Sequence, residues 1–160
     1  MSEERQPEFP DAERLRVYGD LTFLAMRSHH HRAMTVSILR DALEPPILLG
    51  QYKLFRFDGV PRAALTWAWL SEEVEAKYLA GEGFRLGDWR SGDRLWIIDM
   101  MAPYAGLTKG VVRWVMTRGN MPQTRFAYRR ESEARDMARV VRIDLDLHES
   151  GSKADVTLNA

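Results

Sequence analysis

The chain has 160 residues, a length that predicts a single domain with a full hydrophobic core. Its 23 basic and 23 acidic residues give a formal charge of zero, which argues against nucleic-acid binding driven by phosphate neutralisation. It has no cysteine, which excludes disulfides and a thiolate nucleophile, and it has neither a signal-peptide-like segment nor an apolar run long enough to span a bilayer, so a cytoplasmic protein is expected.

The first predicted element is a helix over about residues 12–27. Residues 1–10, with two prolines among polar and charged side chains, are expected to form a flexible start. Apolar residues then recur at helical spacing, at Leu15, Tyr18, Leu21, Leu24 and Ala25. A second helix is predicted from Val36 to about Leu43, with Thr35 as its N-cap and Pro45-Pro46 as its stop, because proline lacks the N–H that a helix interior requires.

Three of the four histidines are adjacent in the corner between these helices, at His29, His30 and His31. Imidazole has an unperturbed pKa near neutrality, so the run is a candidate for proton transfer or for carrying an acyl group. Three other interpretations are a solvated turn, a weak metal-binding patch and an expression-tag fragment. The tag is disfavoured because the run is internal and flanked by apolar periodic sequence.

A β-hairpin and a short helix are predicted next. Strand-like runs over residues 47–57 and 62–69 flank Asp58-Gly59, a strong hairpin signal, although Pro61 suggests a late start for the second strand. Ser71 is an N-cap for a helix whose apolar face would comprise Val74, Tyr78 and Leu79. Glycines at positions 81, 83 and 87 end this helix and favour a flexible loop that leads to Trp89. The loop is either a segment that moves over a substrate or a simple turn.

Asp99 lies inside an otherwise apolar, strand-like run over residues 95–101. An unpaired carboxylate buried there would cost several kcal/mol, so Asp99 requires a cationic or hydrogen-bond-donating partner. The residue types leave two partners open. An arginine would make the pair structural, whereas a histidine would have its tautomer fixed and its protonated form stabilised by Asp99.

The rest of the chain predicts a helix and two strands. The helix would cover residues 107–118, with an inward face of Val111, Val112, Val115 and Met116. The strands would cover residues 124–128 and 139–147, joined by a polar solvated loop, and residues 151–160 are expected to form a tail. The element order predicts an α+β domain over residues 11–150, with a mostly antiparallel mixed sheet flanked by helices.

A series of short motifs runs through most of the chain. They are Ser28-x-x-His31-Arg32 followed by Val36-Ser37, Gln51-Tyr52, Pro61, Trp67-Ala68, Leu70-Ser71, Glu75-x-Lys77-Tyr78-Leu79, Asp88-Trp89-x-Ser91-Gly92-Asp93-Arg94, and Trp96-x-Ile98-Asp99-x-x-Ala102-Pro103. Each motif is weak alone. Their order and spacing, over about residues 15–145, together resemble the RTX toxin-activating lysine acyltransferases, a family that activates bacterial hemolysins.

The resemblance implies a GNAT-like fold and an enzyme that moves a fatty acyl group from acyl carrier protein to internal lysines of an RTX-type protoxin. The family's essential histidine and aspartate match His31 and Asp99, and its serine matches Ser28. His31 would accept the amine proton or first take the acyl group, with Asp99 fixing its tautomer and Ser28 positioning the thioester. His29 and His30 depart from the family pattern and leave open which imidazole faces the site.

The donor is predicted to be acyl-acyl carrier protein, with no separate cofactor and no metal. The region 102–110 offers Gly106 and Gly110 but no glycine-rich turn that would cradle the pyrophosphate of coenzyme A. Because acyl carrier proteins are acidic, donor-binding cations are predicted at Arg32, Lys109 and Arg113. For each of these residues, an ordinary solvated surface is the alternative.

Two other functions stay open at this point. One is a GNAT-like acetyltransferase that uses acyl-coenzyme A on a small amine, and the other is a non-catalytic binding adaptor with the same fold. A homodimer is kept as a further arrangement, and neither nucleic acid nor a transmembrane segment is expected.

Overall fold

The computed structural model describes residues 8–130, 139–148 and 155–158. In chain order the elements are helix α1 (Ala12–Ala25), a 3-10 turn (His31–Ala33), α2 (Val36–Leu49), β1 (Tyr52–Phe57), β2 (Val60–Leu70), α3 (Glu72–Leu79), a second 3-10 turn (Leu86–Trp89), β3 (Arg94–Met101), α4 (Leu107–Val115), β4 (Arg125–Arg130), β5 (Arg139–Asp144), α5 (Leu145–His148) and β6 (Asp155–Leu158). None of the helices in these ranges has the length and apolar character needed to cross a membrane.

The strands form a six-stranded mixed sheet in sequence order, β1 to β6. The pairs β1–β2, β4–β5 and β5–β6 are antiparallel, and β3–β4 is parallel. The predicted α+β class with a mostly antiparallel mixed sheet is therefore confirmed, and the arrangement is consistent with the GNAT-like fold that the resemblance implies.

The chain divides into two compact units. The first contains the described residues up to Thr66 together with Met100–Leu107. The second contains Trp67–Asp99 together with the described residues from Thr108 onward.

The core of the first unit lies between α1, α2 and the β1–β2 hairpin. Asp11 caps α1 by accepting a hydrogen bond from the backbone N–H of Arg14 at 2.8 Å. The buried core residues are Val17, Leu21, Leu24, Ala25, Leu43, Ile47, Ala64 and Met101. Leu15, the first residue of the apolar repeat that predicted α1, is exposed.

Helix α2 continues through the two prolines that were expected to stop it. Thr35 caps the helix as predicted, with its Oγ1 accepting from the N–H of Ile38 at 3.3 Å. An interior proline costs a helix on the order of 3 kcal/mol. Here Pro45, Pro46 and Ile47 are all buried, and their burial offsets that cost. The helix ends instead at Leu49 and is capped by Gly50, whose φ of 66° is left-handed.

The predicted hairpin is present with shifted boundaries. Asp58 and Gly59 have φ angles of 52° and 75°, the positive values that a two-residue hairpin turn requires. β1 begins at Tyr52 and not at residue 47, because residues 47–49 belong to α2. The expected late start of the second strand is wrong: Pro61 lies inside β2, opposite Arg56, where an irregularity in the register between Phe55 and Arg56 accommodates it.

In the second unit, α3 and the strand that follows are close to prediction, whereas the later boundaries differ. Ser71 caps α3 through the N–H of Val74, at 3.2 Å. Helix α4 ends at Val115 rather than at residue 118, and Val112 is exposed because the buried stripe is limited to Val111 and Val115. Residues 145–148 are helical rather than part of a strand.

Two predictions fall at or near residues that the structure leaves undescribed. The polar loop was predicted over residues 129–136; positions 129 and 130 belong to β4, and the remainder lies outside the described residues. Residues 155–158, for which the sequence pattern indicated no element, form β6 and pair with β5.

Candidate active site

The three adjacent histidines have different surroundings. His31 is 3% exposed, whereas His29 and His30 are exposed. The ring of His30 packs edge-on against that of His31, with 5.1 Å between the ring centroids. Nδ1 of His29 lies 3.2 Å from Nη2 of Arg32. The local fold thus separates one buried imidazole from two that face solvent.

Ser28 forms a hydrogen bond with the buried imidazole. Its Oγ lies 2.7 Å from Nδ1 of His31. The last turn of α1 holds the serine, because its backbone N–H donates to the carbonyl of Leu24 at 2.9 Å. Its carbonyl in turn accepts from the N–H of Arg32 at 3.0 Å. The helix end therefore fixes the backbone on both sides of the serine–histidine pair.

A partly buried tyrosine connects α1 to α2 within the same unit. The hydroxyl of Tyr18 donates to Oε1 of Glu44 at 2.8 Å. Burial, together with this hydrogen bond to a carboxylate, raises the pKa of Tyr18 to about 12. Tyr18 therefore keeps its proton at neutral pH and remains a donor, which stabilises the helix pair that carries Ser28 and His31.

Asp99 lies on β3 in the second unit and is partly buried. Because side chains alternate along a strand, Asp99 shares a face of the sheet with Leu95 and Ile97. Ile97 pairs with Tyr128 in the parallel ladder to β4. The pairing of Asp99 with either a histidine or an arginine stays a prediction.

The predicted donor-binding cations are exposed. Arg32 lies in the 3-10 turn of the first unit and contacts His29. Lys109 and Arg113 are four residues apart on α4 in the second unit, and both are exposed as predicted for one helix face. Arg118, just beyond α4, forms an ion pair with Asp146. The binding of a donor by these cations stays a prediction.

The metal-binding interpretation of the histidine run was one alternative from the sequence. Within residues 8–130, 139–148 and 155–158, no group of three or more histidine, cysteine or acidic side chains is placed to hold a metal ion.

Glu75 belongs to one of the sequence motifs, but the sequence did not indicate that its carboxylate is buried or which residues bind it. This buried carboxylate accepts hydrogen bonds from Nε1 of Trp96 at 2.6 Å, Nη1 of Arg94 at 2.8 Å and Nη2 of Arg142 at 3.4 Å. Burial raises the pKa of Glu75, but the Trp96 hydrogen bond and the two guanidinium groups outweigh it, so the pKa lies below its ordinary value. This motif residue is therefore a structural anchor between α3, β3 and β5.

Replacing Glu75 with glutamine is expected to lower the free energy of unfolding by about 1–3 kcal/mol, because two half-exposed arginines lose their buried charge partner. Because the pKa of Glu75 is lower in the folded protein than its ordinary value of 4.5, its contribution to the free energy of unfolding is fully present above about pH 4.5. This contribution is lost as the pH falls through the pKa of the folded state. Urea unfolding followed by tryptophan fluorescence, near neutrality and in acid, would measure both effects.

The matched control is Glu73→Gln, because Glu73 is an exposed residue of the same helix that pairs with Lys77 at 3.1 Å. Such a surface pair is worth about 0–1 kcal/mol. Equal destabilisation by the two variants, or an unchanged acid transition in Glu75→Gln, would contradict the anchoring role.

A second set of motif residues also holds the backbone together. Oγ of Ser91 accepts from the N–H of Ser71 at 3.0 Å and donates to the carbonyl of Asp88 at 2.9 Å. A Cβ added to Gly92 would lie 2.5 Å from Cα of Ser71, so this position has no room for a side chain. The motif around Trp89 thus clamps the N-terminus of α3.

Comparison with known proteins agrees with the resemblance in the motifs. A sequence profile of the RTX toxin acyltransferase family matches residues 11–144. The RTX-II toxin-activating lysine-acyltransferase ApxIIC of Actinobacillus pleuropneumoniae is 40% identical over 89 residues, which are 55% of this chain and 56% of that protein. The leukotoxin-activating lysine-acyltransferase LtxC of Aggregatibacter actinomycetemcomitans is 44% identical over 89 residues, 55% of this chain and 53% of that protein.

A third relative is named for a particular acyl group. The protein-lysine palmitoyltransferase CyaC of Bordetella bronchiseptica is 40% identical over 88 residues, which are 54% of this chain and 48% of that protein. The chain thus spans about half the length of the curated relatives that it matches. The profile match covers most of the chain, from before α1 to the end of β5. The chain therefore belongs to the RTX toxin acyltransferase family.

Proposed function

We propose that this protein is a cytoplasmic lysine acyltransferase that moves a fatty acyl group from acyl carrier protein to internal lysines of an RTX-type protoxin. The observation that carries the proposal is the buried His31, with its Nδ1 2.7 Å from Oγ of Ser28, in a chain of this family. The relatives named above act on lysines, and one of them is named for palmitoyl transfer.

The reaction requires a base near neutral pH. A lysine amine has a pKa of about 10.4 and is almost wholly protonated at neutrality, so it must lose a proton before it can attack. In the transfer, the bond between the amine nitrogen and the acyl carbon forms while the bond between that carbon and the thioester sulfur breaks. The amine proton goes to His31, and the departing thiolate takes up a proton.

Ser28 would set the tautomer of this base. If Nδ1 of His31 carries the ring proton, it donates to Oγ of Ser28, and Nε2 keeps the lone pair that a base needs. Asp99 is proposed to stabilise the protonated imidazole, as the resemblance implies. Alternatively, His31 takes the acyl group first and passes it to the amine, which would leave an acyl-enzyme detectable when the acceptor is omitted.

The turn before α4 supports a protein-borne donor over coenzyme A. Gly106 has a φ of 83° and Gly110 lies within the helix, so the segment lacks the run of glycines that usually cradles a pyrophosphate at a helix N-terminus. A donor whose acyl chain is tethered to a protein needs no such cradle.

Mass spectrometry of an RTX-type protoxin segment would test the proposal. The segment is incubated with the enzyme and palmitoyl-acyl carrier protein, and separately with palmitoyl-coenzyme A. We expect an acylated internal lysine with the carrier-protein donor. Transfer from coenzyme A alone would favour the acetyltransferase-like alternative, and no transfer from either donor would favour a non-catalytic adaptor.

A further inference from the structure

The histidine corner, which we define as residues 26–40 of the first unit, is positively charged in a chain with no net charge. Residues 21–40 include three arginines and three histidines but no aspartate or glutamate. The neighbouring carboxylates have partners of their own. Asp20 pairs with Arg56 at 2.6 Å, and Glu44 accepts from Tyr18. Asp41, which directly follows the corner, contacts Arg40 in an exposed pair, so the local excess of positive charge rests on Arg27 and Arg32.

The arginines of the corner are available to an anionic partner. Arg27 stacks on the ring of Phe23, 3.5 Å from its centroid, and Arg32 contacts His29. Within the described ranges, no carboxylate pairs with Arg27 or Arg32. Arg40 contacts the adjacent Asp41 in an exposed pair, and such a surface pair is weak enough to be displaced by a competing anion.

Exposed apolar side chains lie between these cations. Met26 is 64% exposed, Val36 85% and Ile38 54%. They belong to the end of α1 and the first turn of α2, the two elements that flank the Ser28–His31 pair. Val36 and Arg40 are four residues apart on α2 and so share a face. A partner that docks here would cover apolar surface within a rim of cations, the usual composition of a protein interface.

We propose that the histidine corner is the docking surface for the acyl carrier protein. This inference rests on the proposed function and names the surface through which its donor arrives. An acidic carrier complements Arg27, Arg32 and Arg40, and docking beside His31 would deliver the thioester to the imidazole directly.

An anionic membrane is a less suitable occupant of the same surface. A helix that lies in a membrane interface needs an apolar stripe along its whole length. The exposed apolar residues of α2 are confined to its first turn, and they are followed by Arg40 and Asp41. The surface suits a compact acidic protein.

Binding of labelled palmitoyl-acyl carrier protein, measured by fluorescence anisotropy at low and at physiological ionic strength, tests the surface without requiring turnover. The test variant is Arg32→Glu with Arg40→Glu. The matched control is Arg16→Glu with Lys53→Glu, which reverses the same number of exposed charges elsewhere in the first unit. We expect Kd to rise at least about tenfold in the test variant at low salt, less at higher salt, and little in the control.

A third variant, Lys109→Glu with Arg113→Glu, compares the corner with the face of α4. Equal affinity of wild type and the test variant for the carrier, or loss of binding in the α4 variant alone, overturns the inference. Capture of phosphatidylglycerol vesicles by the corner, without carrier binding, overturns it in favour of a membrane. If the variants behave as expected but no lysine is acylated, the docking surface stands and the proposed chemistry falls. If lysines are acylated normally but the test variant binds the carrier as tightly as wild type, the proposed chemistry stands and the docking surface falls.

Discussion

Replacing His31 with alanine is expected to reduce acyl transfer by about 10²- to 10⁴-fold if the imidazole acts as the base, and further if it carries the acyl group. The reason is that His31 is the buried imidazole of the run and has Ser28 at its Nδ1. Single-turnover acylation of the protoxin segment, followed by mass spectrometry, would measure the loss.

The neighbouring histidines provide the control for this experiment. His29→Ala and His30→Ala remove exposed rings of the same chemistry and should change the rate little. His31→Gln is a second test, because glutamine fills more of the buried volume and can still hydrogen-bond to Ser28 while it cannot act as a base. Comparable losses from all three alanine variants, or full activity in either His31 variant with its fold intact, would contradict the assignment.

Replacing Asp99 with asparagine is expected to lower the transfer rate by several powers of ten, on the order of the 10⁴-fold loss seen when the aspartate of a hydrolase triad is changed in this way. Asparagine keeps the shape of the side chain but removes the charge that would hold the imidazole in one tautomer and stabilise its protonated form.

Thermal unfolding distinguishes the two partners that the sequence left open for Asp99. A carboxylate that orients an imidazole should be dispensable for stability, so the melting temperature of Asp99→Asn should stay close to that of wild type. If the rate is instead unchanged and the melting temperature falls, the partner is a structural arginine.

The local signals in the sequence predicted element types better than element ends. Asp58-Gly59 and the caps Thr35 and Ser71 act through their nearest neighbours, and each is found where the sequence places it. Pro45-Pro46 also acts locally, yet burial against the rest of the first unit outweighs its helix-breaking tendency. Such a tertiary contribution cannot be read from residue types within a short window.

At the candidate site, too, local sequence signals were predictive and tertiary contacts were not. The sequence drew attention to the histidine run, but three adjacent imidazoles are equivalent until the end of α1 and the 3-10 turn bury one of them. The role of Glu75 depends on Trp96, 21 residues away, and on Arg142, 67 residues away. No spacing rule connects positions that only the pairing of α3 with distant strands brings together.

The clamp formed by Ser71, Ser91 and Gly92 has a consequence for engineering the chain. It holds the two ends of the segment 71–92, which contains α3, close together. The distance between these ends is therefore set by the clamp and does not depend on the length of the loop between them. Because closure entropy grows only logarithmically, doubling the length of a flexible loop costs about 0.6 kcal/mol. The exposed turn at Gly81–Gly83 is accordingly a place where a reporter peptide could be inserted while the stack of Phe84 on Tyr78, and the ends of the segment, are kept.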